Sequence, residues 1–257
     1  MEEAAFQIER KDLIDGLGKG LRVIEAFDDD HPRLTSSETA ARTGLTRTAA
    51  RRYLLSLCHF GYAATDGKLF WLMPRVLRLG QSYLGAARLP RLVQPFIQRV
   101  SMASGETVNV SVLDSHEVVY VARSNSPRLV SIGFYPGARA PAHVVTPGYA
   151  ILSTFADDAL DQWIAHHEFV AFTGDAVREG ARFREAVLIA RAQGYWVTEQ
   201  LLDPGLRGIA MPLRDRRGEC KGAIGMTMPM QPQTRAQMVA RMLPLLQDAA
   251  LALRPLL

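Results

Sequence analysis

The sequence predicts an α+β chain: an N-terminal winged helix-turn-helix, a linker helix and a C-terminal α/β domain. Three observations carry this. Residues 31 to 80 hold eight arginines and lysines against two acidic side chains, a net of +6 in a chain of formal charge +4, so the remainder sums to −2. Within that basic segment, apolar residues recur at helical spacing and then give way to two short strand-like runs around Asp66-Gly67. Beyond residue 89, runs that alternate with period two are interleaved with longer helical stretches, the pattern of a sheet covered by helices. The boundaries implied are 1–73 for the basic domain, 74–88 for the linker helix and 89–257 for the rest.

With 257 residues, 48% hydrophobic and 22% charged, the chain has enough apolar material for proper cores. Met1 to Asp15 lacks the apolar centre of a signal peptide, and no apolar run approaches the ~20 residues of a membrane span, so a cytoplasmic protein without a membrane partner is expected. Cys58 and Cys220 stand alone in apolar surroundings without metal-ligand spacing and read as buried thiols.

Leu17, Leu21, Ile24 and Phe27 mark a first amphipathic helix. Ser36 or Ser37 is placed to cap a second, which stops at Gly44, a residue that tolerates the left-handed conformation ending a helix. Thr46 is placed to cap a third that runs to about Phe60. On this third helix Ala50, Leu54, Leu57 and Cys58 share one face, and Arg47, Thr48, Arg51 and Arg52 share the other. One face packs and the other is free to enter a groove. Arginine reads guanine O6 and N7 bidentately, and the first turn of a recognition helix is the part that reaches base edges. Any one of these arginines alone would be an ordinary solvated side chain. Taken together, the pattern selects Ser36, Thr46, Arg47, Thr48, Arg51, Arg52 and Lys68, the last at the tip of the hairpin, as residues facing a double-stranded DNA operator. The alternative is a small-molecule-binding or catalytic α/β domain whose basic N-terminal region only meets other proteins.

In the remainder, Thr107 to Leu113 and Glu117 to Ala122 read as paired strands, and Leu129 to Phe134 as another. A helix starts at Thr146-Pro147-Gly148, and a second occupies Thr173 to Gln193. Strands follow at Tyr195 to Gln200, Gly208 to Leu213 and Lys221 to Thr227, and Pro244 is expected to kink the last helix. Threonine as cap followed by proline in the first turn marks a helix start whose free N–H groups favour an anion. Gly16-Leu-Gly-Lys-Gly20 lacks the spacing of a phosphate loop, His166-His167 lacks a second ligand pair, and Gly80 to Gly85 misses the spacing of a nucleophile elbow. No enzymatic motif is found.

Several segments resemble one family. Gly16 to Phe27, Arg47 to Leu54, Gly61 to Gly67 and Pro74 to Gly80 are similar to IclR regulators, in particular the branch governing aromatic-acid catabolism. The resemblance continues through Val121 to Ser124, Pro141 to His143, Pro204 to Pro212 and Gly222 to Gly225. It implies a GAF-like effector domain at 89–257 that also oligomerises, as a homodimer or tetramer, and no cofactor. It further implies transcriptional activation in response to a small aromatic carboxylate, p-hydroxybenzoate. Carried over by motif, the effector pocket would include Leu129, Ile132, Ala140, Thr146, Pro147, Thr198, Leu206, Gly208, Gly225 and Thr227. Gly148 belongs to the same helix start, Trp196, Tyr135 and Phe134 are ring-packing candidates, and His143 and Arg123 are candidate countercharges.

Overall fold

The computed structural model describes residues 8–124, 134–174, 177–230 and 232–257. The chain forms two compact units, one ending at Tyr83 and the other starting at Leu84. The division lies within the stretch read as the linker.

In the first unit, α1 (Asp15–Glu25), α2 (Ser36–Thr43) and α3 (Arg47–His59) accompany a three-stranded antiparallel sheet of β1 (Leu34–Thr35), β2 (Ala63–Thr65) and β3 (Leu69–Leu72) in the order β1-β3-β2. Val23, Leu54 and Phe70 are buried at its centre, with Phe27, Leu45, Tyr53, Leu57 and Cys58 packed around them. Leu17 and Leu21, expected on the packed face of α1, are instead 65% and 43% exposed; Val23 takes the core position. The cap of α2 is also corrected. Thr35, not Ser36 or Ser37, closes a reciprocal capping box with Glu38, because its extended backbone in β1 places its hydroxyl over the first turn. Gly44 ends α2 in the left-handed region at φ 68°. Thr46 caps α3 as expected, accepting from the Ala49 N–H at 3.2 Å.

The hairpin differs from the two-residue turn its Asp-Gly pair suggested. Thr65 pairs with Phe70, so the connection spans four residues. The Asp66 carboxylate fills the turn by accepting from the N–H groups of Lys68 and Leu69.

A 3-10 turn at Pro74–Val76 leads into α4 (Leu77–Ala86). The first helix wholly within the second unit is α5 (Arg88–Ser104), not foreseen from the sequence, with Pro95 inside it. Its sheet is six-stranded and antiparallel throughout, in the order β6-β5-β4-β9-β8-β7. The strands are β4 (Thr107–Asp114), β5 (Glu117–Ser124), β6 (Arg139–Pro141), β7 (Trp196–Glu199), β8 (Leu206–Arg214) and β9 (Cys220–Pro229). The strand expected at Leu129 to Phe134 falls mostly outside the described residues, and Phe134 itself lies in no strand.

Period-two alternation divides the sheet's faces. Val108, Val110, Val197, Ile209, Ile224, Met226 and Met228 meet α5 and α9 (Arg235–Leu253) in the larger core. Each large aliphatic side chain buried there contributes about 1.5–3 kcal/mol. The helix α9 runs through Pro244. The opposite face carries small and polar residues: Thr107, Asn109 and Ser111 on β4, Thr198 on β7, Gly208 and Ala210 on β8, and Ala223, Gly225 and Thr227 on β9. Small residues let α6 (Thr146–Leu152) lie close, its Ala150 and Ile151 packing on Ala210 and Ala223. Behind it stand α7 (Asp157–Ala165) and α8 (Gly180–Gln193). The latter starts at Gly180, seven residues later than Thr173, whose hydroxyl donates to the Gln200 carbonyl.

Candidate DNA-binding face and effector cavity

The hydroxyl cap of Thr46 fixes where α3 begins and hence which side chains occupy its first turns. Arg47, Thr48, Arg51 and Arg52 are all exposed, as are Thr46 and Lys68. The three α3 arginines form no ion pair with any described residue. Several other cations of the unit are engaged. Arg42 donates to the Ala26 carbonyl and pairs with Asp28, Arg75 donates to the Phe60 carbonyl at 2.8 Å, and Arg33 lies over the Trp71 ring at 4.6 Å. Three arginines without an ion pair among the described residues thus share one helix face. Ser36 does not share this exposure, being only 8% exposed in the first turn of α2, so its hydroxyl is a poor candidate for a contact outside the protein.

In the second unit a cavity of about 370 Å³ lies between the start of α6 and the polar face of the sheet. Sequence-predicted Thr146, Pro147, Thr198, Leu206, Gly208 and Thr227 all line it. Phe134 lines it too, stacked on Tyr120 with ring centroids 4.5 Å apart. The Thr146 and Thr198 hydroxyls are hydrogen-bonded to each other at 2.5 Å. Two hydroxyls sharing one bond leave one proton free to donate to a ligand. Thr146 is not the helix cap expected: Val145 holds that position and makes no side-chain capping bond. The threonine hydroxyl turns instead to β7.

Gly208 explains how the two hydroxyls meet. A side-chain carbon there would overlap the Thr146 hydroxyl and lie 3.3 Å from the Thr198 oxygen. Gly225 lines a small recess beside the cavity, where a side chain would press on Ala210 and the Ile209 carbonyl at 2.8 Å.

Other predicted residues lie elsewhere. Ala140 is buried in β6 opposite Val118 and belongs to the core. His143 is fully buried, with Nε2 2.8 Å from the Val170 carbonyl and Nδ1 2.7 Å from His167 Nε2. It is a satisfied structural histidine, whose pKa burial pushes down. Gly148 is buried where any side chain would collide with the Ala142 carbonyl. Trp196 stacks on Tyr149, with Arg235 over its ring at 5.5 Å, and is not among the cavity-lining residues. Tyr135 is 66% exposed. Arg123 is opposite Asn109 in the sheet and is absent from the cavity lining. Leu129 and Ile132 lie outside the described residues.

Sequence reading missed Tyr120 and Arg207. Tyr120 is 3% exposed and forms one wall; burial holds its phenol protonated by raising its pKa. Arg207 is 6% exposed and also borders the cavity. Its Nε stands 2.6 Å from Glu199 Oε1, yet neither atom has a well-aligned hydrogen bond, so the contact is an ion pair rather than a directed bond. Tyr120 is one apolar residue among many in an alternating strand, which left no local signal. The far end of α6 is held by α8, whose Arg191 donates to the Ser153 and Phe155 carbonyls at 3.0 and 2.7 Å and to Asp157 at 2.6 Å.

A winged helix with an unpaired basic face, on one chain with a small-molecule cavity, defines a ligand-responsive transcription regulator. Residues 16–67 match the IclR helix-turn-helix domain and residues 81–254 the C-terminal domain of bacterial IclR transcriptional regulators. The chain belongs to the IclR family. It is 37% identical to the p-hydroxybenzoate hydroxylase transcriptional activator of Acinetobacter baylyi, over 97% of this chain and 94% of that one. A crystal structure from Rhodococcus sp. RHA1 superposes with a TM-score of 0.79 at 35% identity, covering 94% of this chain and 97% of that one. The inducer-binding domain of the PobR transcription factor from Acinetobacter, a double mutant in complex with 3-hydroxybenzoic acid, superposes with a TM-score of 0.63 at 28% identity. It covers 66% of this chain and 100% of that domain.

Proposed function

We propose that this chain activates transcription of an aromatic-acid catabolic operon in response to p-hydroxybenzoate. The cavity carries the reading: an aromatic wall of Tyr120 and Phe134 faces a hydroxyl pair, Thr146 and Thr198, that retains one free donor. A benzoate ring packs on the first and its carboxylate accepts from the second. The likeness to an Acinetobacter activator of p-hydroxybenzoate hydroxylase expression supports the same effector and the same sign of regulation. Operator contact falls to Arg47, Thr48, Arg51 and Arg52, helped by Lys68 at the wing and Thr46 at the helix start. The chain acts in the cytoplasm as a homodimer or tetramer, and as a regulator rather than an enzyme. Effector binding alters operator affinity only through different affinity for two arrangements of the subunits.

Two measurements test this. In a gel shift on the operator, Arg47→Ala with Arg51→Ala should weaken binding by at least about thirtyfold, at about 1–3 kcal/mol per base-reading arginine. The slope of log affinity against log salt should flatten by about one for each arginine that neutralised a phosphate. Unchanged affinity removes α3 as the reading helix. Calorimetry with p-hydroxybenzoate, protocatechuate and β-ketoadipate then identifies the effector, and absence of heat with the first eliminates it.

A further inference from the structure

A small recess adjoins the cavity, and Thr198 is not among the residues that line it. It has a volume of about 10 Å³ and is lined by Asn109, Ser111, Tyr120, Gly225 and Thr227 among others. Tyr120, Thr146, Pro147 and Thr227 border both spaces, so the two adjoin. A volume of this order admits one oxygen-bearing group and no more.

Asn109 is 4% exposed, and its Oδ1 is fully buried without a hydrogen-bond partner among the described residues. Such atoms are rare, since nearly every buried acceptor is met by a donor. Register explains why none is supplied from β9: the residue opposite Asn109 on that strand is Gly225, which has no side chain. On the next strand, β8, Gly225 is in turn opposite Ala210, which has no polar group. Enlarging Gly225 would press on Ala210. On the other side the residue opposite Asn109 is Arg123 of β5, and it does not meet the amide oxygen.

We propose that Asn109 is a specificity-determining residue that accepts a hydrogen bond from the ring hydroxyl of the effector. The inference rests on reading the cavity as a hydroxybenzoate site. The amide oxygen can be satisfied by a hydroxyl, which donates, and not by an ionised carboxylate, which only accepts, so the ring is oriented with its hydroxyl in the recess and its carboxylate at Thr146 and Thr198. Benzoate fills the same cavity but leaves the amide oxygen unpaired, and a site built around a hydrogen-bonding group discriminates strongly against an analogue that lacks it.

The test is calorimetry of the full chain with p-hydroxybenzoate and with benzoate, in wild type, Asn109→Leu and Asn109→Ala. Wild type should prefer the hydroxylated acid by at least about tenfold. In the variants that preference should fall to within about twofold while benzoate affinity holds or improves. The alanine variant carries the comparison if leucine disturbs the fold, as judged by circular dichroism. A preference undiminished in a folded variant, or equal binding of both acids by wild type, overturns the role of Asn109 and leaves the effector reading standing. No heat from either acid in wild type overturns both.

Discussion

Replacing Gly208 by alanine tests whether the two threonine hydroxyls meet because one backbone position has no side chain. The added carbon would overlap the Thr146 hydroxyl and lie 3.3 Å from Thr146 Cβ and from Thr198 Oγ1. Overpacking of this kind costs about 1–3 kcal/mol. Thr146→Ala removes the overlapping oxygen but deprives Thr198 of its partner, at about 1 kcal/mol. If the sites acted independently the double variant would lose about 2–4 kcal/mol. Because the alanine at 146 vacates the space that the one at 208 needs, the double variant should lose only about 1–2 kcal/mol, a coupling of at least about 1 kcal/mol. The chain has three tryptophans, and Trp163 and Trp196 both lie in the second unit. A Trp71→Phe background therefore lets fluorescence follow that unit alone, where about 1 kcal/mol moves the melting temperature by about 2–4 °C. Additive losses, or a Gly208→Ala single variant that melts like wild type, would refute the packing argument.

Two further outcomes are expected. His167, bonded to His143 and flanked by His116, has its pKa pushed down to about 4 by burial first and by those two rings second. A depressed histidine stabilises the fold fully above its ordinary value near 6.5 and loses that contribution as pH falls towards 4. With the ring partly exposed, the loss is about 1–2 kcal/mol. Acid melting curves should show it, and His167→Gln should flatten them over that window; an identical acid slope in the variant rejects the assignment. Thr35→Ala breaks the capping box of α2 and should lower the stability of the first unit by about 1 kcal/mol in urea, with no change if Ser36 or Ser37 were the true cap.

The winged unit was largely legible because its signals are local. Thr46 caps and the arginines of α3 face outward through a period of 3.6 that any window of the sequence contains. The strand β1 was not legible, since two residues, Leu34 and Thr35, become a strand only by pairing with β3. The helix α5 was hidden by Pro90 and Pro95, which read as breakers although the first sits in its opening turn and the helix continues through the second. In the second unit, motif similarity reached Thr146, Thr198, Gly208 and Thr227. It did not reach Asn109 or Tyr120. Their significance lies in which strands adjoin β4 and β5, and a chain whose β9 pairs with β4 across more than a hundred residues keeps that information out of any local pattern.

The clamp of Arg191 on the end of α6 has a mechanical meaning. A rod of seven residues is pinned at Ser153, Phe155 and Asp157 by one guanidinium, while its other end rests on the Thr198 hydroxyl and the cavity. Such a rod cannot slide along its axis without tearing three bonds at the pinned end. The end of α6 that meets the cavity, at Thr146, is therefore the end Arg191 does not hold, and a load placed on it is carried to α8 through a single guanidinium.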